Sequence, residues 1–242
     1  MKNKHLFTTP LKIFTLFLFL VVLFLSSVLS VLFIKHSTPQ HLLAKLGIIE
    51  ESETNYALLS WNWSLDQLDY DADAVFIGDS LTIGEDFQSY FPDKKILNLG
   101  LSGDSIDGIY DRCSVISNFT PEKIFIEGGV NSMSYKSVDY ISARYLDIIS
   151  LLKSENPNAE IYIQGVLPIS SVKESNGLTN KNISLLNDKL SKIATEYDVI
   201  YIDINSVYSL NSEMNPLYTK DGIHLKDEAK YIWIQEIEKY IL

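Results

Sequence analysis

The sequence predicts an α/β fold for residues 72–242: a three-layer α/β/α sandwich with a central parallel sheet. Two observations lead there. Short apolar runs of strand length alternate with stretches whose apolar residues recur at helical spacing, which implies parallel strands covered on both faces. Polar and glycine-rich motifs follow several of the apolar runs, where parallel α/β folds place their ligand sites. At 242 residues and 46% hydrophobic content, the chain is long enough to bury one sizeable core.

Taken in order, residues 1–12 form a short segment with Lys2, Lys4 and Lys12. Residues 13–34 are a charge-free run of 22 residues rich in Leu, Phe and Val. At 1.5 Å per residue a helix of that length covers roughly 33 Å, enough for a bilayer core of about 30 Å. A cleavable signal peptide has a shorter apolar region and a small-residue cleavage site. Ser26 to Ser30 is a poor one and is followed by more apolar residues, so an uncleaved transmembrane anchor is expected. Three lysines precede the span and only Lys35 follows it closely, which puts the N-terminus in the cytoplasm and the remainder outside. Residues 35–71 are a juxtamembrane connector, in which Trp61 and Trp63 are expected to pack on the edge of the domain.

Beyond the connector the expected strands are Ala74–Ile77, Lys95–Leu99, Lys123–Ile126, Glu160–Val166 and Val199–Ile204. Between them, Ile141, Tyr145, Ile148 and Leu152 mark one amphipathic helix, and Ile183, Leu186, Leu190 and Ile193 a second. From Leu225 the tail continues with Ala229, Ile232, Trp233, Ile237 and Ile241 along one helical face. Pro168 to Asn180 reads as a polar loop near the ends of the strands.

Charge and cysteine count narrow the function. Residues 1–35 hold four of the 20 basic residues and no acid, leaving 16 basic against 31 acidic ones, a formal −15. Such a field repels polyanions, so no nucleic-acid partner is expected. Cys113 is the only cysteine, which rules out an intramolecular disulfide, and it reads as a small buried hydrophobe in a helical stretch. Asp69, Asp71 and Asp73 imitate the start of a calcium loop. The glycine expected next is Ala74, however, and the twelfth position is Ser80, so a solvated acidic turn is expected instead. With one Cys and one histidine in the domain, a zinc site of the His/Cys type cannot be assembled, and no cofactor or metal is expected.

Four motifs carry the chemistry: Gly78-Asp79-Ser80, Asn98-Leu99-Gly100-Leu101-Ser102-Gly103, Gly129-Val130-Asn131 and Asp221-Gly222-Ile223-His224. Together they supply a serine, a glycine amide, an asparagine and an Asp–His pair, the parts that serine acyl transfer needs. A serine hydroxyl is a weak nucleophile until a base takes its proton. His5, His36 and His41 lie outside the domain, so His224 is the available base. Asp221, three residues earlier, is close enough to hold the imidazole in a turn that opens the last helix; alternatively it merely caps that helix. Gly78 and Gly103 are expected to let the backbone turn tightly and approach a substrate oxygen. The Gly-x-Ser-x-Gly elbow of other hydrolases is absent, since position 82 is Thr.

This order of motifs resembles the SGNH (GDSL-like) hydrolase family, over roughly residues 72–242. Gly78-Asp79-Ser80-Leu81 is its signature word. Asn131 is followed by Ser132, where the family often has Asp. The resemblance implies a flavodoxin-like sheet, Ser80 as nucleophile, His224 as general base and Asp221 as the group orienting it. It also implies an oxyanion hole made by the Ser80 and Gly103 amides and the Asn131 side chain. The implied function is a membrane-anchored, extracytoplasmic serine esterase acting on small acyl esters, with O-acetyl groups on carbohydrate as the expected substrate class. An O-acyltransferase with the same triad, served by a membrane acyl-delivery protein, is the alternative, with lipid hydrolysis a further one. A silent binding module would lack the serine or histidine, and both are present.

Overall fold

The structure, a computed structural model, describes residues 71–241 and Val21. The expected anchor at 13–34 and connector at 35–71 therefore lie outside the described residues, apart from Val21 and Asp71. Among the described residues no helix is long and apolar enough to cross a membrane.

Five parallel strands form the sheet: β1 (Ala74–Gly78), β2 (Ile96–Gly100), β3 (Lys123–Ile126), β4 (Glu160–Gln164) and β5 (Ile200–Ile202). Their order is β2-β1-β3-β4-β5, so the chain winds outward in both directions from β1 and β3. In such a sheet the gap between those two strands is the switch point at which ligands bind. Each expected strand is present, with ends shifted by at most two residues and β3 as expected at both ends. β4 and β5 are the most shortened, because their last apolar residues pack as loop or helix.

The pleat sends alternate side chains to opposite faces. Val75, Ile77, Ile124, Ile126, Ile161 and Ile163 face one layer and are buried there. That layer holds α3 (Ile106–Arg112), α4 (Val138–Glu155) and α5 (Asn180–Glu196). All eight residues read as the two amphipathic stripes are buried in it. Each of these helices starts on a hydroxyl cap, Ser105, Ser137 and Thr179 respectively, accepting a backbone N–H from the first turn.

The other face is aromatic. Phe76, Phe125 and Tyr162 sit in register on neighbouring strands and stack at centroid distances of 4.5 Å, and Phe87 stacks on Phe76 at 3.8 Å. The final helix, α7 (Asp227–Ile241), covers them with Ala229, Trp233, Ile237 and Ile241, while Ile232 is only partly buried. Short helices complete this side: α1 (Ser80–Ile83), α2 (Phe87–Tyr90) and α6 (Ile204–Tyr208), followed by the small antiparallel pair β6 (Ser209–Leu210) and β7 (Glu213–Met214). Cys113 is buried where α3 passes into a 3₁₀ helix, Cys113–Phe119, and its Sγ meets the Ile109 carbonyl at 3.2 Å. Burial pushes its thiol up to about 12, which suits an inert packing residue.

Candidate active site

β1 ends in Gly78 and the chain turns at once into α1. Glycine is needed at 78 because of packing: a Cβ there would lie 2.1 Å from Thr82 Oγ1 and 2.5 Å from the Glu127 carbonyl oxygen. This replaces the expectation that Gly78 frees the backbone for a substrate. Asp79 caps α1, its Oδ1 accepting from the Leu81 amide at 3.0 Å, and Ser80 opens the helix at the carboxyl edge of the sheet.

The end of β2 is tied to this turn. The Leu101 amide donates to the Gly78 carbonyl at 3.0 Å, and the Asp104 amide donates back to Leu101 at 3.1 Å. Gly103 is third in the resulting β-turn with φ +77, a left-handed value that favours glycine, and no neighbour stands within 4 Å of where a Cβ would be. Its glycine therefore serves the turn, as the sequence implied.

β3 leads to Gly128 and Gly129, then to the 3₁₀ turn Val130–Ser132. Asn131 Nδ2 donates to Asp79 Oδ2 at 3.1 Å and to the Asp104 carbonyl at 2.9 Å. Ser132, in the place where the resemblance led one to look for Asp, is fully buried, and its Oγ accepts from the Ile106 amide at 2.9 Å. It ties the asparagine turn to the first residue of α3.

The last motif is a rigid turn. Thr219 Oγ1 donates to the His224 carbonyl and accepts from the Gly222 amide, both at 2.8 Å. Asp221 Oδ1 accepts from the Ile223 and His224 amides at 3.0 and 2.7 Å, and Oδ2 meets His224 Nδ1 at 2.7 Å. α7 begins only at Asp227, so Asp221 neither caps that helix nor opens it. Partial desolvation works against ionisation of Asp221, but the imidazole and the two amides hold its carboxyl well below the usual range. The Ser170 amide donates to the Gly222 carbonyl at 2.8 Å, which brings the predicted polar loop against this turn.

His224 Nε2 lies 3.0 Å from Ser80 Oγ. With the Nδ1 hydrogen facing Asp221, Nε2 is left to accept the serine proton. The Ser80–His224–Asp221 line is continuous, and both of its basic and acidic members are partly open to solvent.

Beneath it lies a buried polar layer that the sequence reading passed over. Arg112, fully buried, reaches Asp104 Oδ2 through Nε at 2.9 Å and Nη2 at 2.6 Å. Its Nη1 donates to the Leu99 carbonyl at 2.7 Å and Nη2 to the Gly78 carbonyl at 3.1 Å. One guanidinium thus binds the ends of β1 and β2 to the segment that follows Gly103. Burial raises the Asp104 carboxyl, against the opposing pull of Arg112. Glu127, directly after β3, is also fully buried beside Asp79. A signal for both existed: Arg112 stands in helical register with Ile109 and Ile116, and Glu127 continues the apolar run Ile124-Phe125-Ile126.

A five-stranded parallel sheet in this order, with serine, glycine, asparagine and an Asp–His turn gathered at its switch point, defines an α/β hydrolytic architecture. The sequence profile of the GDSL-like lipase/acylhydrolase family matches residues 76–230, and the chain belongs to that family. Solved structures agree on the fold. A protein assigned as an acylhydrolase from Bacteroides fragilis NCTC 9343 aligns at 21% identity and TM-score 0.68, over 78% of this chain and 97% of its own. A GDSL-like lipase from Bacteroides thetaiotaomicron VPI-5482 aligns at 20% identity and TM-score 0.66, over 76% and 96%. An acetyl xylan esterase aligns at 17% identity and TM-score 0.60, over 70% and 99%. No curated protein matches the chain.

Proposed function

We propose that the protein is a serine ester hydrolase in which Ser80 attacks an ester carbonyl, His224 takes and returns the proton, and Asp221 orients the imidazole. The observation that carries this reading is the pair of contacts at 3.0 Å and 2.7 Å that join the three side chains. The acyl-enzyme on Ser80 Oγ is then released to water activated by His224. The amides of Ser80 and Gly103 and the Asn131 side chain form the oxyanion site. Since Asn131 Nδ2 already faces two acceptors, the hydrogen directed at the Asp104 carbonyl is the one that swings to, or is shared with, the developing charge.

Small acyl esters are the substrate class, and O-acetyl groups on carbohydrate the leading one; the acetyl xylan esterase among the structural relatives supports this choice. Residues 13–34 hold the domain, 72–242, on the outer face of a membrane through the connector 35–71, on the strength of their length and the lysines before them.

The test is hydrolysis of p-nitrophenyl acetate and acetylated glycans by the full chain in detergent, with and without a sugar acceptor. Ser80→Ala is expected to leave less than about one per cent of turnover. His224→Ala should lose about as much, with the double variant scarcely worse, because triad members act as a unit. Activity surviving in Ser80→Ala would remove the nucleophile. Acyl transfer to the acceptor in preference to water would turn the assignment to an acyltransferase.

A further inference from the structure

Glu127 and Asp79 are two carboxyl groups in one buried pocket, both with no exposure to solvent. Glu127 lies directly after β3 and Asp79 directly after β1, so the sheet itself presses them together at the switch point. β1 and β3 pair up to Ile77 and Ile126, and the Glu127 amide donates to the Ile77 carbonyl at 3.0 Å, so the two carboxyl groups leave neighbouring strand ends side by side and act on each other electrostatically. Two carboxylates in such contact cannot both be ionised, and one proton between them resolves the repulsion.

The surroundings say where that proton sits. Asp79 accepts from two N–H groups, the Leu81 amide and Asn131 Nδ2. Glu127 meets only the Thr82 hydroxyl, at 3.5 Å, and its Oε1 faces no donor at all. The other groups nearby are directed elsewhere. Tyr145 donates to the Gly128 carbonyl from α4, and Arg112 reaches Asp104 from α3. The His224 ring bridges Ser80 and Asp221. An ionised Glu127 would have no cation and no N–H to offset burial. A neutral Glu127 turns the contact with Asp79 into a donor–acceptor bond.

We propose that Glu127 is a positioning residue of the candidate active site: a neutral carboxylic acid whose O–H donates to Asp79 and keeps Asp79 an anionic acceptor for Asn131 and the first turn of α1. Asp79 has one side of its carboxylate on the helix that carries Ser80 and the other on Asn131, so its placement sets the distance between nucleophile and oxyanion donor. Burial and the adjacent Asp79 both push the Glu127 carboxyl well above the usual range, in keeping with this assignment. Ionisation of Glu127 at alkaline pH would set two negative charges against each other and drive Asp79 off Asn131.

The role in catalysis rests on the serine esterase reading, whereas the protonation state does not, and the experiment separates them. Infrared difference spectra of the full chain in detergent at pH 7 are recorded for the wild type, Glu127→Gln, Glu127→Met and Ser80→Ala. Glu85, half-protonated at this pH, contributes equally to all four spectra. Beyond it, a protonated-carboxyl C=O band is expected in the wild type and in Ser80→Ala, and its loss in both Glu127 variants. Its absence from the wild type overturns the proposal whatever the activity shows. Hydrolysis of p-nitrophenyl acetate is then followed against pH. Gln keeps an N–H donor and cannot ionise, so Glu127→Gln should retain kcat within about threefold and hold it further into the alkaline range. Met fills the space without a donor, so kcat should fall by roughly tenfold to a hundredfold with KM within about twofold. Equal losses in Gln and Met, or an unchanged Met variant, would overturn the positioning role. Should the Met variant fail to fold, the band and the Gln pH profile decide the matter. A fully active Ser80→Ala would overturn the esterase reading while leaving the infrared result standing.

Discussion

Replacing Arg112 with Met should destabilise the fold heavily and in a pH-dependent way. The guanidinium and the Asp104 carboxylate are both buried, with side-chain exposures of 0% and 7%, and meet at 2.6 Å. Taking away one partner of a buried ion pair costs about 3–5 kcal/mol, most of it the desolvated charge left behind. The Gly78 carbonyl keeps its bond from the Leu101 amide, so the orphaned group that dominates is Asp104. That group has an escape, because it can bind a proton. Burial already raises its carboxyl, and Arg112 is the first opposing influence. In the variant the folded-state value rises further above the unfolded one, so stability is retained below about pH 4 and lost, over a wider range than in the wild type, as pH climbs toward the raised value. While Asp104 is protonated only in the folded state, each pH unit is worth about 1.4 kcal/mol. Denaturant unfolding followed by circular dichroism at pH 5 and pH 8 measures both effects. The expected loss is about 3–5 kcal/mol at pH 8 and clearly smaller at pH 5. A loss below about 1 kcal/mol at pH 8, the range of an exposed pair, would show that the clamp does not hold the strand ends. Equal losses at both pH values would show that Asp104 is not the group left stranded.

Asn131→Ala should lower kcat on one ester by about a hundredfold with little change in KM, because an oxyanion donor matters once the carbonyl oxygen is charged. Asn131→Asp should be worse, since a carboxylate would then face Asp79; an unchanged turnover number in the Ala variant would remove Asn131 from the site. Glu85 is buried beside α7, with Lys230 Nζ 3.9 Å from its Oε1, and burial raises its carboxyl to about 7. Its neutral form favours the fold, so stability present below about pH 4 declines as pH rises to about 7. Glu85→Gln should therefore raise the melting temperature at pH 8, by an amount equivalent to at most about 3 kcal/mol, and change little at pH 4. A gain of equal size at both pH values would refute this account.

The parallel sheet was legible because its signal is long and redundant. Ile141 to Leu152 and Ile183 to Ile193 keep helical spacing over whole turns, and the strands between them are runs of apolar residues with few alternatives. The parts that the sequence concealed are short. α1, α2 and α6 have four or five residues and β6 and β7 have two, too few for any periodicity to register. Their existence depends on caps such as Asp79, Asp86 and Asp203 and on tertiary packing. The positions of Ser80, Gly103, Asn131, Asp221 and His224 at one edge followed from motif order. What order could not convey was which atoms each would meet. Both acceptors of Asn131 Nδ2 lie far away in sequence, and Ser132 binds the start of α3 through space. Gly78 was correctly singled out for the wrong physical reason, since the crowding by Thr82 and Glu127 exists only after β1 and β3 pair.

The buried layer also constrains the chemistry through its total charge. With Arg112 balancing Asp104, Glu127 neutral and Asp79 ionised, the cluster beneath the nucleophile carries one negative charge. On the acyl-transfer reading two opposite charges develop nearby, an imidazolium on His224 and an oxyanion next to Ser80. Asp79 attracts the first, and the interaction is mutual: burial raises the Asp79 carboxyl to about 6, and His224 is among the groups that oppose that rise. The same charge opposes the oxyanion, so the N–H groups around that oxygen must more than offset it, and Asn131 is placed with one hydrogen on Asp79 for that reason. The Asn131 amide thus partly neutralises Asp79 on one side while its other hydrogen remains directed toward the Gly103 loop. A second ionised carboxylate at Glu127 would double the field against the oxyanion in a medium too dry to screen it. Keeping that proton in place is therefore a requirement of the reaction as well as of the fold.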